Sequence, residues 1–410
     1  MQLRKIFRTI EEITNGEFES TEDMLKHVIQ ELVKSEQILI KGGRSWKFDP
    51  KSGSYELLNQ VGEIDRIKSH YRVKLKDYPI FYELPKRRTM LGSEQDEYLR
   101  RRGIMKYSAT GIGDKIRWRG RELYKYVLAF NADHLDEDLT SALNIISAAV
   151  TTALRTRRFE HKAHVLEQDL DKARAIQRSI LPQHEMKFKS FELYGVSVAD
   201  QTVGGDFFDY LQVEGDDERL GVVIGDATSK GLSAAVQALF TAGAIRMGFE
   251  FQTKIGSLLS KVNRLLHKTF SEEQFVSLFY AELTDDKNGL VLYANCGHNN
   301  PIHYSSAGRK AEFLEATGQM LGPFPDEVFK VENILMNKGD ILLLYTDGIS
   351  EATNEQGEAF GEDRIVECIK EQSGASAKEI TQRLLEVVQN FNSLGTRSDD
   401  KTIVTIKRAA

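Results

Sequence analysis

Apolar residues recur at helical spacing in some stretches of the chain and in short β-rich runs in others. Spacings of three and four predict a helix over residues 3–13, a second helix with Thr21 as its candidate N-cap, and a closing helix over residues 139–154. The runs between them predict strands at residues 37–41, 46–48, 55–58 and 124–130. The pattern therefore predicts an α+β domain over residues 1–152.

The next stretch, residues 153–182, carries a seven-residue repeat. Its seam is apolar except at one glutamine: Phe159, Ala163, Leu166, Leu170, Ala173, Gln177 and Ile180. Pro182 ends the helix, and no Gly or Pro separates it from the preceding one, so we expect one continuous helix. The seam predicts a parallel homodimer through residues 159–180, although three heptads can also pack on their own domain. A polar seam residue lowers stability and fixes register, which suits a connector that switches.

Beyond Pro182 short strands alternate with long helices. Strands are predicted at residues 191–199, 220–224, 276–283, 290–294, 341–345 and 402–407. Helices are predicted at residues 232–247, 255–270, 365–370 and 377–391. Long helices between strand pairs indicate two packed antiparallel β-sheets with helices outside, over residues 183–408.

Composition narrows the class of protein. A chain of 410 residues is too long for one core and predicts two or three domains. Its net charge of −6 gives no general attraction to nucleic acid or to anionic membranes. Two cysteines exclude a disulfide framework, and no apolar run reaches the roughly 18 residues of a membrane span. The charged N-terminus also lacks the apolar core of a signal peptide, so we expect a cytoplasmic protein.

Basic residues cluster in three runs of the first domain, at residues 86–88, 100–102 and 117–121. A nucleic-acid surface is one interpretation, but acidic residues intervene and no recognition motif accompanies the runs. We favour a solvated surface or a patch for an acidic partner, and we predict no nucleic-acid binding.

The layout of the first domain, with helices around a meandering sheet and a long helix at the exit, resembles a GAF-like sensor domain. The resemblance lies in the hairpin WKFDPKSGSYELLNQVG and the helix DLTSALNIISAAVTTAL, not in a ligand motif. This domain has no cysteine, and His27, His70 and His134 occur singly. The resemblance implies a regulatory domain that receives an upstream protein or small-molecule signal. A dimerising domain without a small ligand is an equal alternative.

Acidic residues stand beside the apolar runs of the second half, at residues 204–209, 225–226, 346–348 and 398–400. Carboxylates held together at the ends of buried strands repel one another unless a cation neutralises them. Oxygen ligands without a His/Cys cluster favour Mg²⁺ or Mn²⁺ over Zn²⁺. A single Asp-Gly is usually a turn, but four such stretches predict a pair of divalent metal ions.

The same stretches resemble a known family. The segments VGGDFFDY, GDATSKGLSAA, NCGHNNP, LYTDGISEA, NEQGEAFGEDR and RSDDKTIVTIKR occur in the order typical of metal-dependent (PPM) protein serine/threonine phosphatases. The similarity is to their bacterial SpoIIE/RsbU-like branch and covers residues 183–408. The end of the connector, AIQRSILP, is also similar to that branch. The resemblance implies a PPM fold preceded by the GAF-like domain and a coiled-coil connector.

The resemblance implies the ligands of two Mn²⁺ or Mg²⁺ ions. Asp226 would bridge both ions, and Asp347 and Asp399 would hold one of them with it. Asp206 and the main-chain carbonyl of Ala227 would hold the other. Two cations lower the pKa of a shared water, so hydroxide is available near neutral pH, and they offset charge on the phosphoryl oxygens. No Cys or Ser nucleophile is then needed.

Neighbouring residues receive supporting roles. Asp209 and Asp400 are expected to support the ligands, or to take part through water. His298 in NCGHNNP is expected to be structural or near the site, and not a catalytic base. Some family members have a histidine after the bridging aspartate where this chain has Lys230, so the general acid stays unassigned. Ser229 replaces the inner glycine of the usual Gly-Asp-x-x-Gly. If that position needs a positive φ, the serine is strained at a cost of about 1 kcal/mol.

The function that the resemblance implies is a regulated phosphoserine/phosphothreonine phosphatase. In this branch the usual substrate is a phosphorylated STAS-domain anti-anti-sigma protein. Control would pass from the N-terminal domain through the dimeric helical connector. The alternative is a catalytically weak or inactive phosphatase fold that binds a signalling partner.

Overall fold

A computed structural model of the chain describes residues 18–35, 40–102, 104–132, 136–213, 215, 218–271, 273–284, 287–392 and 399–409. These residues belong to two compact units, Met1–Val165 and Leu166–Ala410. The helix predicted over residues 3–13 lies outside the described residues.

The first unit contains an antiparallel sheet of strand order β3-β2-β1-β6-β5-β4. Its strands are β1 Ile40–Asp49, β2 Ser54–Gly62, β3 Arg72–Lys74, β4 Thr89–Ser93, β5 Lys106–Trp118 and β6 Arg121–Ala132. Its helices are α1 Thr21–Lys34, α2 Ile80–Arg87, α3 Glu97–Arg101 and the long α4 Glu137–Ile180. The apolar sides of α1 and of the start of α4 cover one face of the sheet, and α2 and α3 cover the other.

Several details of this unit differ from expectation. The strands predicted at residues 37–41 and 46–48 form one strand, β1, because Gly42 and Gly43 also pair with β2 although they interrupt the apolar pattern. Residues 37–39 lie outside the described residues. Ser20 caps α1 instead of Thr21, because its hydroxyl accepts a hydrogen bond from the Asp23 amide. The apolar pattern did not predict β3, β4, β5, α2 and α3. Charged residues interrupt the pattern in all of them except β4, which is only five residues long. The GAF-like assignment stays a prediction.

The second unit has two antiparallel sheets packed face to face, as predicted. One sheet has the order β15-β12-β11-β10-β9 and the other β14-β13-β16-β17-β8-β7. The strands are β7 Glu185–Phe188, β8 Phe191–Val198, β9 Phe207–Leu211, β10 Arg219–Ala227, β11 Val276–Thr284, β12 Leu290–Cys296, β13 Ile302–Ser305, β14 Lys310–Phe313, β15 Glu332–Leu335, β16 Ile341–Tyr345 and β17 Lys401–Arg408. The helices are α5 Leu232–Glu250, α6 Ile255–Thr269, α7 Asp347–Ser350, α8 Gly361–Glu371 and α9 Ala377–Phe391.

Apolar residues of the two inner faces fill the space between these sheets, including Val222, Ile224, Leu344, Val404 and Ile406. Helices α5 and α6 pack on the outer face of the first sheet, and α8 and α9 on that of the second. The unit is therefore a four-layer α-β-β-α sandwich. By length and composition α5 could cross a membrane, but Ala238, Thr241 and Ile245 are buried in this unit, as in a core helix.

Candidate metal centre

All five predicted ligands lie at one end of the sandwich, beside the ends of central strands. Asp206 immediately precedes β9, and Asp226 and Ala227 are the last two residues of β10. Asp347 begins α7 just after β16, and Asp399 stands two residues before β17. Since β16 ends where β17 begins, with Tyr345 paired to Ile403, the last two acids meet across that ladder.

The carboxylates influence one another strongly. Burial first, and then the charges of Asp347, Asp399 and Asp400, raise the pKa of Asp226 to about 7. Burial and the neighbouring Asp226 raise the pKa of Asp206 well above its ordinary value, although a hydrogen bond from Thr346 opposes the rise. Such like-charge crowding in a buried place favours a bound cation.

The donor set fits Mg²⁺ or Mn²⁺, since it consists of carboxylates and one carbonyl oxygen. Asp347 and Asp399 line a small cavity of about 10 Å³ with Gly348, Glu351 and Ala352. Within the described ranges, no three His, Cys, Asp or Glu side chains already surround one point that could hold an ion. Two of the acids contact protein donors: Asp206 accepts from Thr346 Oγ1 at 2.7 Å, and Asp399 lies 3.2 Å from Lys230 Nζ.

Asp400 fixes the glycine loop that carries Asp206. Its carboxylate accepts hydrogen bonds from the backbone amides of Asp200 at 2.8 Å and Gly205 at 2.6 Å. A Cβ at Gly204 would lie 2.4 Å from that carboxylate, and one at Gly205 would lie 2.9 Å from the carbonyl oxygen of Ala227. Both glycines are therefore needed for close approach, and Asp400 orients backbone, as its expected supporting role requires.

Asp209 faces away from the other acids. It accepts a short hydrogen bond from Arg246 Nε, and burial raises its pKa despite that ion pair. The same guanidinium donates through Nη2 to the carbonyl oxygen of Ile180, 2.7 Å away, at the end of α4. Arg246 thus links the strand after Asp206 to the connector helix.

Gln177 makes a second link between α4 and the glycine loop. Its side-chain amide donates to the Gly204 carbonyl oxygen at 2.7 Å and accepts from the Gly204 amide at 3.2 Å. The sequence placed Gln177 as the polar member of a heptad seam. In the structure it is 9% exposed and satisfies both backbone groups of a residue two positions from Asp206.

Two further side chains, Thr346 and His298, contact the acids or their neighbouring residues. Thr346 connects Asp206 to β17, because its hydroxyl also accepts from the Thr402 amide at 3.0 Å. His298 Nδ1 lies 2.9 Å from Ser277 Oγ, and Ser277 is the cross-strand neighbour of Asp226. Burial lowers the pKa of His298 to about 4. A neutral, enclosed imidazole agrees with the structural role expected for it.

The predicted strain at Ser229 is wrong. Ser229 is not among the residues with positive φ; Gly231, two residues later, takes that conformation with φ of 64°. Ser229 Oγ instead accepts a hydrogen bond from Gln237 Nε2 of α5 at 2.8 Å. The turn places its left-handed residue at a glycine, so a serine at position 229 costs no backbone strain.

Sequence reasoning missed Thr346, Gln177 and Arg246 as parts of this site. Thr346 stands directly before the predicted ligand Asp347, and this position in the sequence could have identified it as part of the site. Gln177 was visible only as an irregularity in the heptads, and Arg246 only as the one basic residue of the largely apolar α5. Their partners are distant in sequence, and their contacts appear only in three dimensions.

Comparison with known proteins supports the assignment of the second half. Residues 216–409 match the family described as stage II sporulation protein E (SpoIIE), a stretch that includes Asp226, Asp347 and Asp399 but begins after Asp206. Phosphoserine phosphatase RsbU of Bacillus subtilis (strain 168) is 24% identical over 243 residues, which are 59% of this chain and 71% of RsbU. Phosphoserine phosphatase RsbP of the same organism is 22% identical over 248 residues, 58% of each chain.

Among solved structures, the SiaA-PP2C domain of Pseudomonas aeruginosa is similar to this chain with a TM-score of 0.52 and 17% identity. The similarity covers 60% of this chain and 98% of that domain, and it shows that the fold is shared. The chain spans 58% of RsbP, less than two thirds of that relative. The second half of this chain is therefore similar to the SpoIIE family over residues 216–409 and has the PP2C fold.

Proposed function

We propose that this protein hydrolyses phosphoserine or phosphothreonine on a regulatory protein with the help of two divalent ions, Mn²⁺ or Mg²⁺. The proposed ligands are Asp206, Asp226, Ala227, Asp347 and Asp399. One observation carries the proposal: carboxylates from four separate strand ends converge at one place, where burial first, and then the charges of Asp347, Asp399 and Asp400, raise the pKa of Asp226 to about 7. A structural role alone gives no reason to gather four carboxylates at this edge.

The surrounding residues have defined tasks in this proposal. We assign Asp226 to both ions because the charges of both Asp347 and Asp399 contribute to its raised pKa. When bound, the ions supply Lewis acidity that activates water and offsets charge on the phosphoryl oxygens. Thr346 orients Asp206, and the exposed ammonium of Lys230 is placed to attract the phosphate group.

The proposed substrate is a phosphorylated STAS-domain anti-anti-sigma protein in the cytoplasm. RsbU and RsbP are phosphoserine phosphatases by name, and the branch resemblance supplies the substrate class. We further propose that the N-terminal domain controls the activity through α4, whose end contacts the glycine loop at Gly204.

The test is phosphate release from a phosphoserine STAS-domain protein by the purified chain with MnCl₂. Asp226→Asn and Asp347→Asn should each lower kcat/KM at least about a hundredfold, because ion binding is worth several kcal/mol of transition-state stabilisation. Asp326→Asn is the matched control: Asp326 is 88% exposed and is not one of the proposed ligands. If the wild type binds the phosphoprotein but releases no phosphate with Mn²⁺ or Mg²⁺, the domain is instead a binding module.

We also propose that the protein forms a parallel homodimer through residues 159–180. Phe159 is 71% exposed and Leu166 62%, and they lie one heptad apart on α4. Exposed side chains of this size at seam positions gain most by packing against a second copy. Gln177 is already engaged by Gly204, so the proposed contact is concentrated in the earlier heptads.

A further inference from the structure

A groove of about 370 Å³ opens at one end of the sheet of the first unit. Four separate segments line it: the β1–β2 turn at residues 51–53, residues 74–76 after β3, Tyr82 of α2, and the β5–β6 turn with its flanking residues. The last of these includes part of the basic run at residues 117–121, which we expected to be a solvated surface or a patch for an acidic partner.

The groove concentrates positive charge. Its lining has five basic side chains and no carboxylate: Lys51, Lys74, Lys76, Arg119 and Arg121. Across the part of the chain that the structure describes, none of the five has an ion pair. Two nearby acids are engaged elsewhere: Asp49 accepts a hydrogen bond from Ser52 and lies 3.6 Å from Arg72, and Glu122 lies 3.5 Å from Lys115. Cations drawn from distant parts of the sequence repel one another here.

Two aromatic rings hold the arginines in place. The Arg119 guanidinium lies 4.6 Å from the centre of the Trp118 ring, and that of Arg121 lies 4.5 Å from the centre of the Tyr82 ring. The Trp118 indole is itself fixed, because it donates to the Pro50 carbonyl oxygen at 3.1 Å. Gly53 lies against this ring: a Cβ there would be 3.0 Å from it. Stacked guanidinium groups keep their N–H donors available for an anion.

We propose that this groove binds a small molecule carrying two or more phosphate groups, of the nucleotide polyphosphate class. Its volume falls within the range of small-molecule sites. Five cations around one concavity match the charge of a polyphosphate, whereas an acidic peptide spreads its carboxylates along an extended chain at about 3.3 Å per residue. Single-stranded nucleic acid needs open rings for base stacking, and here an arginine covers each ring.

The experiment is calorimetric titration of the full chain with ATP and, separately, with inorganic triphosphate, after chelation to keep the phosphatase centre free of metal. Both probes should bind saturably at one site per chain. Arg119→Glu with Arg121→Glu should weaken binding at least about tenfold, because two charge-assisted contacts are reversed. Lys26→Glu with Lys106→Glu, on exposed lysines outside the groove, should leave binding unchanged.

Two further variants guard against misfolding and against a general charge effect. Lys51→Gln with Lys76→Gln removes two exposed groove charges with little risk to the fold and should also weaken both probes. Trp118→Ala keeps every charge but removes the support of Arg119, and should weaken ATP binding severalfold. Equal affinity in the wild type and the Arg119→Glu/Arg121→Glu variant overturns the proposal, as does no saturable binding below about 5 mM. It also fails if a single-stranded RNA binds the groove and neither phosphate probe does.

Discussion

At the residue scale, Gly348 shows how tightly backbone and acids are packed around the candidate centre. A Cβ on Gly348 would lie 2.0 Å from the carbonyl oxygen of Asp400, a backbone atom that cannot turn aside. Gly348→Ala should therefore displace the segment carrying Asp399 and destabilise the domain by about 1–3 kcal/mol, as overpacking does. The measurements are urea unfolding and phosphatase activity, both of which should fall.

Gly243→Ala is the matched control for this prediction. Gly243 lies in α5, it is exposed, and a Cβ there meets nothing within 4 Å. Alanine in a helix interior is favoured over glycine by about 0.5–1 kcal/mol, so this variant should be slightly more stable and equally active. If Gly348→Ala behaves like Gly243→Ala, the close approach of residues 348 and 400 is not a constraint.

Asp226 gives a second residue-scale prediction, on the metal-free protein. Asp226 is crowded by other carboxylates and largely removed from water. Asp226→Asn removes one of the repelling charges, so the metal-free variant should melt a few degrees above the metal-free wild type. Added Mn²⁺ should raise the melting temperature of the wild type but not that of the variant.

The control is Asp326→Asn, which should melt like the wild type with and without Mn²⁺. A lower melting temperature for metal-free Asp226→Asn would show that the carboxylate stabilises the fold. The proposed role of Asp226 as a ligand of both ions would then lose its electrostatic basis.

The sequence pointed to the four acidic ligands because acids beside apolar runs are a local pattern. The family resemblance then assigned their roles and added the main-chain carbonyl of Ala227. It could not supply the partners of those acids. Thr346, Gln177 and Arg246 act through contacts with residues more than 25 positions away. The strain expected at Ser229 is absent for a related reason: the residue with positive φ in this turn is Gly231, which the sequence pattern did not identify.

At the element scale, the strength of the periodic signal decided which elements could be predicted. The pattern matched α9 and β16 to the residue, because α9 is amphipathic and begins at a capping box, and β16 is a short apolar run. The four-residue strands β7, β13, β14 and β15 were missed. They are too short for alternation to register, and β15 has no buried residue.

The end of α4 is the element whose contacts most directly concern regulation. Gln177→Ala would leave the buried amide and carbonyl of Gly204 without their partners, at a cost of about 1–3 kcal/mol. The loop carrying Asp206 should loosen as a result. We expect a lower affinity for Mn²⁺ and a higher Mn²⁺ concentration for half-maximal activity, measured by calorimetry and by phosphate release.

Arg178→Ala is the control, since Arg178 is the next residue on the same helix and is exposed. It should keep the Mn²⁺ dependence of the wild type. The proposed coupling between α4 and the metal centre fails if Gln177→Ala and Arg178→Ala have the same Mn²⁺ affinity. A loss of stability without a change in that affinity would make Gln177 a purely structural residue.

At the scale of the whole molecule, each unit could be anticipated in outline. The continuous helix α4 followed from the absence of Gly and Pro over residues 139–180, and the two packed sheets followed from strand pairs separated by long helices. The net charge of −6 led us to expect no general attraction to nucleic acid or to anionic membranes. The net charge of the whole chain does not show where charges cluster. The five basic side chains of the groove in the first unit are brought together only by folding.

The self-association of the protein gives the last prediction. Phe159→Asp with Leu166→Asp places charges at two seam positions of α4 whose large apolar side chains are exposed. Burying an aromatic or aliphatic side chain of this size is worth about 1.5–3 kcal/mol, so losing four in a dimer should weaken association more than about a hundredfold. Sedimentation velocity should show a dimer for the wild type and a monomer for the variant. Val328→Asp, at an apolar residue that is 75% exposed and lies outside α4, should remain dimeric. A monomeric wild type, or a dimeric double variant, would remove the connector as the site of dimerisation.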